Sequence, residues 1–168
     1  GTVSSTLNLP ETAYGVSFWF RTSQASAGLF SVADAHGVQV YLSSGNLCGQ
    51  VTYLNGATPT VEAACSTGLN LGDGAWHHVV HTSGAFADGF TGQRLYVDGI
   101  LADTGSQTAA TTPNDGGVIL GAASAGGSAF SGLLDDVRFF GAALSTTEVA
   151  ALFSQPVLYL NFNEANRC

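Results

Sequence analysis

The chain has 168 residues, enough for one domain that buries about 70% of its unfolded surface without a metal or a dense disulfide framework. Hydrophobic residues make up 45% and charged residues 10%, with 22 glycines and no methionine, which excludes a disordered acidic tail and a coiled coil. Twelve acids face four bases, all arginines (Arg21, Arg94, Arg138 and Arg167), and this net charge of -8 makes nucleic acid and anionic membrane poor partners.

Period-2 runs separated by Gly, Asn, Asp and Ser predict an all-β, two-sheet antiparallel sandwich. In the first run Val16, Phe18 and Phe20 share one face, and Ser17, Trp19 and Arg21 the other. Residues 30–32 and 38–42 form the next strand pair. Residues 46–53 and 60–64 follow as a hairpin turning at Asn55-Gly56, a dipeptide that tolerates positive φ. Residues 76–82 are a further strand. The Asp98-Gly99 pair between two apolar strands is the clearest hairpin signal in the chain. Residues 118–120 and 133–140 complete the strand count, and residues 145–153 make one short helix near the C-terminus. Ser145 and Glu148 stand at capping-box spacing. Pro156 stops the helix, and strand periodicity resumes over 157–163.

No apolar run approaches the ~20 residues that span a bilayer, and no basic start precedes an apolar stretch, so the chain reads as a mature or processed piece. Lysine is absent and Thr, Ser, Gly and Ala are abundant, which suits an extracellular or cell-surface setting. Of three cysteines, Cys48 and Cys65 lie in neighbouring extended segments and pair most simply with each other, leaving Cys168 over.

Two stretches, Gly74-Ala75-Trp76-His77-His78-Val79-Val80 with Leu95-Tyr96-Val97-Asp98-Gly99, and residues 132–140 with Ala143-Leu144-Ser145 and the helix behind them, resemble the laminin G-like, concanavalin A-like sandwich family. The resemblance covers roughly residues 12 to 153. It implies a jelly roll serving in adhesion, glycan binding or architecture, with residues 1–156 as the sandwich. Residues 157–168 then resemble the family's opening strand, displaced to the carboxyl end, and complete their own or a neighbouring sandwich. Leu158, Leu160 and Phe162 form the core-seeking face of that strand. They predict self-association or adjacent repeats, a filament or tandem array, with Cys168 able to lock the junction.

Catalysis is not indicated. Retaining glucanase chemistry needs two carboxylates about 5 to 5.5 Å apart, and no Glu-x-Asp-x-Glu strand supplies them. His77 and His78 face opposite ways, while His77 and His81 stand ~13 Å apart, so the three cannot share one ion. Strict alternation places Asp135 with Leu133, Val137 and Phe139 on an apolar face, where a carboxylate needs a partner. The family often holds calcium near the matching acids, which makes Asp135, with Asp34 and Asp88 from loops, the calcium candidates. Asp136 and Arg138 read as a solvated pair. Trp19, Tyr41 and Tyr53 are the aromatic candidates for stacking on glycans, so the alternative function is a carbohydrate-binding module of a larger secreted enzyme.

Overall fold

The computed structural model describes residues 5–6, 13–33, 37–55, 58–107, 117–122 and 129–155. Among these residues eleven strands and one helix follow in chain order: β1 (Ser5–Thr6), β2 (Tyr14–Thr22), β3 (Ala27–Ala33), β4 (Val38–Ser43), β5 (Asn46–Asn55), β6 (Thr58–Cys65), β7 (Trp76–Ala85), β8 (Thr91–Val97), β9 (Ile100–Gly105), β10 (Gly117–Leu120), β11 (Gly132–Phe140) and α1 (Thr146–Ser154). They build a jelly-roll sandwich of two antiparallel sheets. One has six strands in the order β1-β10-β3-β4-β5-β6, the other five in the order β11-β2-β7-β8-β9.

Alternation determines the inner faces. Val16, Phe18 and Phe20 meet Phe30, Val32, Val40, Leu47 and Val51 across the sandwich, all essentially inaccessible to water. At about 25 cal/mol per Å² of apolar surface, this layer is the main stabilising contribution. His81 also belongs to it: its ring lies directly over Gly49 of the facing sheet, where a Cβ would come within 2.4 Å of the imidazole.

The β8–β9 hairpin turns at Asp98-Gly99 as expected, with φ of 51° and 78°, the left-handed pair that a two-residue turn requires. The β5 and β6 strands run further than the Asn55-Gly56 signal suggests. Asn55 pairs with Thr58 and is still strand, because the Cys48–Cys65 register fixes the count along both strands. These two cysteines face each other and are joined by a disulfide, with Cα atoms 4.1 Å apart.

The β11 strand departs from the expected alternation. Asp135 is opposite Trp19 and Arg138 opposite Ser17, so two residues, Asp136 and Val137, stand against Phe18. This β-bulge, with Asp136 at φ 49°, breaks the alternation. Leu134, Val137 and Phe139 pack on the core, whereas Leu133 and Asp135 are exposed on the outer face. Asp135 therefore needs no buried partner.

The helix begins at the expected capping box: the Ser145 side chain accepts from the Glu148 amide, and the Glu148 carboxylate accepts from the Ser145 amide. Val149 and Leu152 bury a small second core against Val80, Tyr96 and Leu144 on the outer face of the five-stranded sheet. The expected strand at 157–163, including Leu158, Leu160 and Phe162, lies outside the described residues, as do Cys168 and Asp34.

Candidate functional site

The helix divides the outer face of the five-stranded sheet. Along β2 both faces are closed from Tyr14 to Phe18, Trp19 is half-buried, and Arg21 is exposed. Cover stops at Phe153, whose ring stacks on Trp19 with centroids 5.7 Å apart and planes 20° from parallel. His78 lies under the same ring at 5.9 Å.

Beneath α1, Ser17 Oγ and His78 Nε2 stand 2.9 Å apart, each residue only 2% exposed. The pair resembles a nucleophile and its base, but no carboxylate orients the ring. His78 Nδ1 is buried with no partner among the described residues, and Asp98 Oδ1 accepts instead from the His78 backbone amide at 2.8 Å. Burial is the largest influence on His78 and lowers its pKa to about 4. His81 is likewise brought to about 4 by burial, against a hydrogen bond with Gln93. His77 is different. Asp98 contacts its Nδ1 at 2.9 Å and Asp73 its Nε2 at 3.2 Å, and these acids raise its pKa although burial, the largest single influence, opposes them.

Of the calcium candidates, Asp135 and Asp88 are not brought together, and Asp34 lies outside the described residues. Asp135 is level with Trp19 and His78, whereas Asp88 sits in the turn after β7, which ends at Ala85, seven residues beyond His78. Asp88 is bonded to Arg94 and the Phe90 amide, and Asp135 accepts from the Asp136 amide. Among the described residues no three His, Cys, Asp or Glu side chains cluster as a metal would need. Asp136 and Arg138 do form the half-exposed pair expected of them, 2.7 Å apart.

The aromatic candidates also separate. Phe153 covers Trp19. Tyr53 is buried, its hydroxyl donating to Glu62. Tyr41 is half-buried opposite Cys48 on the six-stranded sheet, across the sandwich from Trp19. No shared stacking platform results.

What remains open is the far end of the same outer face. Leu133, Arg21 and Trp76 form one cross-strand row on β11, β2 and β7, and Leu133 is 55% exposed. Beside this row is a cleft of about 370 Å³, walled by the turn after β2, by Gly74 and by the start of β11. Its walls are pinned by hydrogen bonds: Thr22 Oγ1 donates to Ser131 O, and Gln24 bonds both Ala129 and Ser131. Arg21 Nε donates to Gly74 O at 2.8 Å. Its two terminal nitrogens have no partner among the described residues, and no acid lines the cleft. Sequence reading missed this site because three distant segments make it. The available signal was Arg21, the position where polarity returns to the outer face of β2.

The sequence matches the family described as the concanavalin A-like lectin/glucanases superfamily over residues 1–150. No protein of curated function matches. Solved structures with the same fold include the binding domain of a paraclostridial mosquitocidal protein (17% identity, TM-score 0.70, 90% of this chain and 40% of that one). The botulinum neurotoxin serotype D binding domain is similar at 14% identity and TM-score 0.64, covering 90% of this chain and 39% of that one. Domains LG4-5 of the mouse laminin alpha1 chain are similar at 16% identity and TM-score 0.60, covering 86% and 41%. The chain thus spans about two fifths of the length of each of these structures. With the sandwich, its capped helix and the matched residues together, the chain belongs to the concanavalin A-like lectin/glucanases superfamily.

Proposed function

We propose that the chain is a non-catalytic binding and adhesion domain that works outside the cell, with the Arg21 cleft as its ligand-binding surface. One observation carries the non-catalytic reading: every described carboxylate already accepts a hydrogen bond from the protein itself. Asp73 serves the Ala75 amide, Asp88 Phe90, Asp98 His78, Asp103 Cys65, Asp135 Asp136, Asp136 Arg138, Glu62 Tyr53 and Glu148 the helix cap. These bonds hold the eight described carboxylates in structural roles, which supports a reading with no acid–base pair among the described residues. The Cys48–Cys65 disulfide supports an oxidising, extracellular setting. No helix among the described residues is long and apolar enough to cross a membrane.

The test is binding to an array of glycans and matrix proteins, comparing the wild type with Leu133→Glu, a change at an exposed position beside the cleft. Retained binding by the variant at full strength overturns the assignment of the surface.

A second reading, assembly into a filament or tandem array, rests on the alternation of Leu158, Leu160 and Phe162 with polar neighbours. A strand of that pattern adds to a sheet edge through ladder hydrogen bonds. Sedimentation of the intact chain is expected to show concentration-dependent association that is lost when residues 157–168 are removed. A wild type that stays monomeric at high concentration contradicts it.

A further inference from the structure

We infer that the Arg21 cleft takes the carboxylate of a small ligand, held end-on by the two terminal guanidinium nitrogens; this rests on the reading of the cleft as the binding surface. Cations are scarce in this chain, with four arginines and no lysine. Arg94 is paired with Asp88 and Arg138 with Asp136, whereas Arg21 has no carboxylate partner among the described residues. Its Nε bond to Gly74 O orients the planar group and leaves a two-pronged donor edge directed away from that bond. A guanidinium so held matches the two oxygens of a carboxylate, and the fixed fork loses less entropy on binding than a mobile lysine would.

The surroundings agree with that chemistry. The nearest acid of the adjoining turn, Asp73, is turned to the Ala75 amide and His77. Asp135, two residues beyond Leu133 on β11, accepts from its own neighbour's amide. Ser23 adds a hydroxyl at the rim, and Leu133 an apolar wall. A volume of about 370 Å³ falls at the small end of ligand sites, roughly 300–1,000 Å³, and suits one sugar ring or one amino-acid residue.

The experiment is a titration of the intact ¹⁵N-labelled chain followed through its backbone amides. Four probes are used: galacturonate, its neutral counterpart galactose, N-acetylglycine and its amide. Galacturonate or N-acetylglycine is expected to shift the amides of Ser23, Gly74 and Leu133, and the tighter of the two identifies an acidic sugar or a peptide end as the source. Arg21→Lys keeps the charge but loses the fork, and is expected to weaken binding at least tenfold. Leu133→Glu supplies a carboxylate opposite Arg21 from within the chain, and is expected to abolish the shifts with the fold intact. Equal shifts with the neutral probes overturn the carboxylate assignment while leaving the cleft a binding surface. No shift at these amides with any probe overturns both.

Discussion

At the scale of single residues, three neighbouring histidines of one strand divide into two opposite electrostatic kinds. His78 and His81 are buried and neutral, and their pKa values fall from 6.5 to about 4. The folded state binds their protons less readily than the unfolded chain, so their contribution is complete above pH 6.5 and is lost as pH falls towards 4. At about 1.36 kcal/mol per pKa unit, each is worth on the order of 3 kcal/mol across that window. His77 has the opposite sign: its raised pKa gives stability that is present below 6.5 and lost as pH rises through the folded value. Urea unfolding at pH 7 and pH 4.5 is expected to show a net loss in acid, and His81→Gln is expected to remove a large part of it. An unchanged midpoint contradicts the buried neutral state. Asp98 links the strand to the hairpin turn through both its oxygens. Asp98→Asn tolerates the left-handed turn, and is expected to lower the His77 pKa seen by NMR while keeping the fold.

At the scale of elements, alternation in the sequence was enough to locate most strands, because period 2 is all that a half-buried strand requires. It failed on β11, where a bulge that no side-chain pattern announces moved Asp135 to water. It also placed Trp19 on an accessible face, because the docking of α1 is a tertiary event. A hint of that docking was present: Val79-Val80 and Leu95-Tyr96-Val97 are apolar on both faces, as strands covered on both sides are. Phe153→Ala is therefore expected to cost about 2 kcal/mol and to shift Trp fluorescence to the red as the stacked ring is uncovered. An unchanged emission maximum would show that the helix does not cover Trp19. Gly49→Ala brings a methyl group into the His81 ring and is expected to destabilise by about 1–3 kcal/mol, read from the same unfolding curves.

At the scale of the whole molecule, the two sheets, the disulfide and the helix make a rigid support whose outer face is half closed and half open. Replacing both Cys48 and Cys65 by serine is expected to cost about 3 kcal/mol, since the cross-link restrains the unfolded chain across a separation of 17 residues. For a domain of this size that is a fall of roughly 10 °C in Tm, measurable by calorimetry. The cleft was not legible in the sequence, because Arg21, Gly74 and Ser131 converge only once β11, β2 and β7 are side by side. The central claim is that ligands meet the protein at this open end, beyond the reach of α1. Hydrogen exchange with and without the tightest ligand from the array tests it most directly. The account predicts slowed exchange confined to residues 21–24, 73–75 and 131–133; a footprint around Tyr41 on the six-stranded sheet, with those segments unchanged, would contradict it.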